Sequence, residues 1–364
     1  MAPAPIRLLA GPAAARHLAD RGLRPADIVA VVGAAGGPKG LALLPLDRWL
    51  FGHWLADCPR ERWLAGASIG AWRMAAGAQR APLPAIERLA HAYLEGQRYP
   101  RKPSTAQVSQ VCRDMTRELI GHDPAAFLAG LAPGRRLQVV TARSLAPDAA
   151  ATRLAFGRAA LDNAVARARL GRHLQRVVFT AGAESTADGC PALPPDAFDS
   201  RCVPLQADNL EDALLASGSI PLVADPVPGV GGAPAGRYWD GGLIDYHLHW
   251  RWQTLPGIVL MPHFLPAVTA GWLDKFLPWR RHGLGPADRD WLDNLLLVIP
   301  SPALLARLPN RKLPDRQDFF RYDTDHDARL RDWRRAMAEC EAMAEAFAAW
   351  VERPDRIALE PLPG

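Results

Sequence analysis

The chain has 364 residues, 49 % of them hydrophobic and 22 % charged, enough for a sizeable core in one large domain or two smaller ones. Its formal charge of +5 is mild for this length. With no Lys/Arg cluster interleaved with aromatics, that balance points away from nucleic acid and remains compatible with an anionic lipid surface.

In chain order, Met1 to Leu9 carry prolines at positions 3 and 5 and an arginine at 7, and so lack the apolar stretch of a secretory signal. Ile28 to Val32 is a continuous β-branched and apolar run, the pattern of a strand buried on both faces. It feeds a glycine turn, Gly33 to Gly40, and then an apolar helical stretch from Leu41 to about Leu55. Strand, turn and helix repeat from Trp63 to Ala76, and two such units in succession predict a parallel sheet with crossover helices. Further strands are expected at Leu137–Ala142, Val177–Ala181, Ile258–Met261 and Leu295–Ile299, and helices near Ala85–Gly96, Ser104–Gly121 and Arg158–Leu170. Glu184–Pro204 and Pro226–Gly236 read as long loops. Near the end, Leu330, Trp333, Met337, Cys340, Ala344, Phe347 and Val351 form one apolar stripe of a long helix, packed on the body of the domain or, alternatively, forming a dimer seam. The simplest organisation is one catalytic domain over residues 1–310 with a C-terminal helical appendage over 311–364.

Five cysteines without C-x-x-C or Cys/His metal spacing predict a reducing compartment and no structural zinc, a Cys190–Cys202 pair across a loop being the minor alternative. No run reaches the length needed to span a bilayer, so the default setting is cytoplasmic.

The candidate chemistry centres on Gly66-Ala67-Ser68-Ile69-Gly70. Between a strand and a helix, G-x-S-x-G forms a turn so sharp that it lifts the serine hydroxyl out of the backbone. The helix that follows offers free N–H groups to a developing anion. Gly36 and Gly37, one unit earlier at the mouth of a helix starting near Pro38, are suited to expose amides as an oxyanion hole. The competing reading, a phosphate-binding loop, lacks the G-x-x-x-x-G-K-[ST] spacing, since Lys39 is followed by Gly40 and Leu41. For the base, His247, His249, His263 and His326 all lie late enough to serve a triad. The alternative is Asp240, in Tyr238-Trp239-Asp240-Gly241-Gly242, whose bland reading is an Asp-Gly turn.

Four ordered segments resemble the patatin-like phospholipase family: Gly36 to Gly40, Gly66 to Gly70, Ala216-Ser217-Gly218-Ser219-Ile220-Pro221, and Asp240-Gly241-Gly242. Together they span about two-thirds of the chain. The resemblance implies a three-layer α/β/α fold with a central, mostly parallel sheet, and a Ser–Asp dyad without catalytic histidine. It also implies hydrolysis of acyl esters with neither metal nor other cofactor. By position, Ser68 is then the nucleophile and Asp240 its base, with the oxyanion held by Gly36 and Gly37 and by the N–H of Ile69. Lys39, Gly40, Gly66, Gly70, Gly241 and Gly242 support the site. Ala35 stands where the family often has the first of three glycines, and its methyl fits only at negative φ.

For substrate, the resemblance implies phospholipid, lysophospholipid or a related acyl lipid. Short-chain esters or an intracellular polyester, and a non-catalytic lipid-binding protein that keeps the motifs, are the alternatives. Trp272, Leu273, Phe276, Leu277 and Trp279 beside Lys275, Arg280 and Arg281 form an aromatic and basic stretch that either covers the core or makes peripheral contact with a membrane.

Overall fold

A computed structural model describes residues 3–146, 149–182, 189–281 and 285–363. Its spine is a ten-stranded sheet: β1 (Ile6–Ala10), β2 (Ile28–Gly33), β3 (Arg62–Ala67), β4 (Arg135–Ser144), β5 (Leu174–Ala181), β6 (Ser200–Pro204), β7 (Arg237–Asp240), β8 (Ile258–Pro262), β9 (Leu295–Pro300) and β10 (Leu359–Pro361). The order is β10-β1-β9-β8-β2-β3-β4-β5-β6, with β7 joined to β4. The central run β9-β8-β2-β3-β4 is parallel throughout, while β1–β9, β4–β5 and β4–β7 are antiparallel. Helices cover the sheet in a three-layer α/β/α arrangement, as the repeated strand–turn–helix pattern predicts. The innermost strands read as unbroken apolar runs because both faces are covered, and every residue of β2, β8 and β9 is buried.

Several local expectations need correction. The stretch after the first glycine turn is not one α-helix: a 3-10 turn over Gly37–Leu43 leads into a short α-helix, Leu44–Trp49, and a wide turn, Leu50–Trp54. Pro45 sits in the first turn of that α-helix, where its missing N–H is harmless. The expected loop Glu184–Pro204 ends in strand β6, which pairs in parallel with β5; its positions 184–188 lie outside the described residues. Once β6 is in place, Cys202 faces the chain at Cys190, and the two are disulfide-bonded with Cα atoms 6.5 Å apart. That bond replaces the expectation of five reduced thiols.

The single C-terminal stripe is carried by two helices, His326–Glu339 and Glu341–Glu352, which meet at Cys340. Trp333, Phe347 and Trp350 from these helices are buried in the same core as β2 and β3. Residues 311–364 also add β10 to the sheet edge beside β1. Among the described residues, no helix is long and apolar enough to cross a membrane.

Candidate active site

Strand register alone brings the two key residues together. Along one edge of β4, β3 runs parallel as far as Ala67, opposite Val140. Along the same edge β7 runs antiparallel and stops at Asp240, opposite Thr141. The C-terminal ends of β3 and β7 therefore meet head to head at consecutive residues of β4. The residue after Ala67 is Ser68, and Ser68 and Asp240 line one cavity.

Ser68 sits at φ 55 and ψ −133, a conformation forced on a non-glycine residue by the abrupt change from β3 to the helix Ile69–Gly77. Such a backbone costs about 1–3 kcal/mol and persists only where its surroundings hold it. Here the holding group is Ser217, at the end of the helix Leu210–Gly218. Its Oγ accepts from the Ser68 N–H at 2.9 Å and donates to the Val140 carbonyl at 2.7 Å, closing the gap left on β4 where β3 ends. The turn closes so tightly that three backbones touch. A Cβ on Gly70 would stand 1.9 Å from the Gly33 carbonyl oxygen, and one on Gly66 would stand 2.4 Å from the Gly70 carbonyl carbon. Five residues into the helix, Arg73 makes a fully buried two-pronged ion pair with Asp47, at 2.6 and 2.8 Å.

Asp240 is 6 % exposed and accepts the Gly242 N–H at 2.7 Å. Burial pushes its carboxyl up to about 6, opposed by the hydrogen bonds from Ser68 and Gly242 and by the charge of Arg316. A carboxylate titrating near neutrality is far better matched to taking a proton from a hydroxyl than one near 4. Gly241 and Gly242 are required by close approach: a Cβ on Gly241 would meet the Val140 carbonyl oxygen at 2.2 Å, and one on Gly242 the Ala35 methyl at 2.9 Å.

The backbone N–H groups of Gly36, Gly37 and Ile69 have no acceptor among the described residues. Gly36 and Gly37 sit on the glycine turn beside Ser68, and Gly37 takes φ 58. Ile69 is the first residue of the helix, so its N–H points out of the helix end. Gly36 lines one cavity with Ser68, and Gly37 and Ile69 line the other with it, so all three unpaired donors border the serine. Ala35 stays out of positive φ, and its N–H is occupied by the Tyr246 carbonyl at 2.9 Å. A Cβ on Gly40 would fall 2.4 Å from the Ile69 side chain, so Gly40 lets the two turns pack.

Ser68 is shared by two cavities. One, of about 240 Å³, is walled mainly by apolar and aromatic side chains such as Trp72, Tyr93, Val108, Met115, Ile220 and Phe319, with Arg101, Asp323 and Arg329 also on its wall. The other, of about 210 Å³, contains Asp240 and brings in Lys39, Lys275 and Arg316 along with Asp315. Arg316 borders both. None of these three cations has a hydrogen bond or ion pair among the described residues, whereas Asp315 is already paired with Lys312 at 2.9 Å. The Lys275 Nζ lies 4.6, 4.8 and 5.6 Å from the ring centres of Trp272, Phe276 and Tyr246, and burial pushes its amine down to about 8. Lys39 lies over Phe264 at 4.8 Å and is likewise lowered by burial.

The histidine alternatives lie elsewhere. None of His247, His249, His263 and His326 borders either cavity. The first three are buried, and burial lowers His247 well below its usual range, His249 to about 4 and His263 to about 3. Sequence reasoning did not single out Arg316 or Asp315, because the short segment Pro314-Asp315-Arg316 carries no motif. Ser217 lay inside a named segment but had no role until the register of β4 supplied one.

Compared with protein-family models and with curated proteins, the chain matches none, so the reading of this site stands on its geometry.

Proposed function

We propose that this chain is a serine acyl hydrolase that cleaves carboxylic esters of acyl lipids, with Ser68 as nucleophile and Asp240 as base, in the manner of the patatin-like phospholipases its motifs resemble. Asp240 takes the proton from the Ser68 hydroxyl as the oxygen attacks the ester carbonyl. The carbonyl electron pair becomes an oxyanion facing the N–H groups of Gly36, Gly37 and Ile69. Collapse expels the alcohol, which takes the proton held by Asp240 and leaves an acyl group on Ser68. A water, deprotonated by Asp240, attacks this acyl-enzyme and releases the fatty acid, returning the proton to Ser68.

The observation that carries this reading is Ser68 brought by strand register to the buried carboxylate of Asp240, at the junction of a mostly apolar and a cationic cavity. An acyl chain in the first and an anionic polar group beside Lys39, Lys275 and Arg316 in the second place an ester at that junction. This division favours an amphiphilic ester over a short soluble one.

A fluorophosphonate probe tests the proposal. Wild type should be labelled at Ser68, Ser68→Ala should not be labelled at all, and Asp240→Asn should react at least about a hundredfold more slowly. Labelling that persists in Ser68→Ala, or a wild type left unlabelled with and without lipid, would overturn it. Mass spectrometry of products from a mixed lipid extract then identifies the ester class.

A further inference from the structure

We propose that the face around the two cavity mouths is a docking surface for an anionic lipid bilayer. The six most exposed large apolar side chains among the described residues are Leu222, Phe320, Phe276, Trp279, Leu161 and Val165, each 60–81 % exposed. They come from four separate segments, three of which line or directly adjoin the mouths. Leu222 follows Ile220 and Pro221, which line the polar cavity. Phe320 stands at the edge of the apolar cavity, four residues after Arg316. Phe276 and Trp279 flank the Lys275 that lines the polar cavity. Leu161 and Val165, one turn apart on the helix Ala149–Val165, are tied to that segment by a bond from Asn163 to Asp274 and by Arg280, which donates to the Asn163 carbonyl.

Scattered exposed apolar residues are ordinary, but a cluster of them around one opening is not. Leu222 adds an independent sign: it takes φ 68, a costly conformation for a leucine, and in it the side chain is 79 % exposed. Strain of this kind at a site mouth is a mark of function rather than of packing.

Charge selects the occupant. Lys275, Arg281 and Arg316 lie in the same segments and have no carboxylate partner among the described residues. Two of the acids nearby are taken, Asp323 by Arg101 at 3.2 Å and Asp315 by Lys312, which leaves Asp225, three residues after Leu222, as one exposed acid against these three cations. Apolar side chains ringed by unpaired cations match a bilayer whose surface is negative. A protein seated on the same face would plug both cavities, whereas a bilayer supplies what enters them. The supply argument rests on the acyl-hydrolase reading; the docking itself needs no turnover.

Vesicle sedimentation of the Ser68→Ala protein separates the two claims, because binding is then measured without hydrolysis. The protein should partition onto vesicles of mixed phosphatidylcholine and phosphatidylglycerol, weakly onto phosphatidylcholine alone, and less as salt is raised. Leu222→Ser combined with Trp279→Ser should lower that partition about tenfold. The same pair in the wild-type background should hydrolyse a soluble nitrophenyl ester at the unaltered rate, which shows that the fold and site are intact. Equal partition of parent and double variant would overturn the proposal. So would a parent that is a dimer in sedimentation velocity and becomes a monomer in the double variant, since the face would then be a contact between two copies. Failure of probe labelling with vesicle binding intact would sink the hydrolase reading and leave the docking surface standing.

Discussion

Replacing Asp240 by asparagine should destroy activity and at the same time make the protein more stable. The amide keeps the shape of the carboxylate, and its oxygen keeps the Gly242 N–H, so the substitution removes little except the charge. In the folded protein the carboxyl ionises near 6, against an ordinary value of 3.8, chiefly because of burial. At about 1.4 kcal/mol for each tenfold in proton affinity, the ionised form therefore costs the native state about 3 kcal/mol. The sign follows directly. A carboxyl raised in the folded state contributes no penalty below about pH 4, where both states are protonated, and the full penalty above about pH 6, where both are ionised. The asparagine side chain does not titrate, so the advantage of Asp240→Asn should be complete near pH 8 and should fade as pH falls towards 4. With an unfolding entropy of about 2.1 cal/mol/K per residue over this chain, 3 kcal/mol corresponds to a rise in Tm of about 4 °C. Scanning calorimetry of the two proteins at the two pH values reads the difference, since every other group titrates alike in both. A variant no more stable than wild type at pH 8, or a gap of constant size down to pH 4, would refute the idea that Asp240 is held ionised against its surroundings.

Three more outcomes follow from the same geometry. The value of kcat/KM for a neutral soluble ester should fall about tenfold per pH unit below about pH 6, where Asp240 takes up its proton, and should hold level just above it; an acid limb near 4 would contradict the burial of that carboxyl. Ser217→Ala orphans the Ser68 N–H and the Val140 carbonyl and should cost about 1–3 kcal/mol for each buried group left unpaired, with kcat lowered more than KM is raised; thermal unfolding together with steady-state kinetics measures both. Arg316→Met should raise KM about tenfold for an ester bearing a phosphate or carboxylate while leaving a neutral ester of the same chain length unchanged, as paired kinetics on the two substrates will read.

The innermost strands were the most legible part of the chain. Ile28–Val32, Ile258–Met261 and Leu295–Ile299 are buried on both faces, so their composition alone announces them, and they appear as β2, β8 and β9. Strands β1, β6, β7 and β10 were not placed in advance. They lie at or near the sheet edges or are only three to five residues long, and long-range pairing rather than local pattern makes them strands. The same reason left the Cys190–Cys202 bond a minor alternative, since it needs β6 as its frame. Within the site, Ser68 and Asp240 were readable because glycines flank them, and glycine is demanded wherever backbones crowd. Lys275 drew notice only as part of an aromatic and basic stretch. Arg316 drew none, because a lone arginine in a loop says nothing until the fold sets it between two cavities.

Gly33, Gly66 and Gly70 have a mechanical consequence. With no side chains between them, the first glycine turn, the end of β3 and the head of the following helix are in direct backbone contact, and none can slide without the others. The amides of Gly36 and Gly37 and the hydroxyl of Ser68 thus belong to one welded joint rather than to two loops that must find each other. If the proposed chemistry holds, its geometry is ready-made, and whatever governs its rate has to act on what reaches the joint.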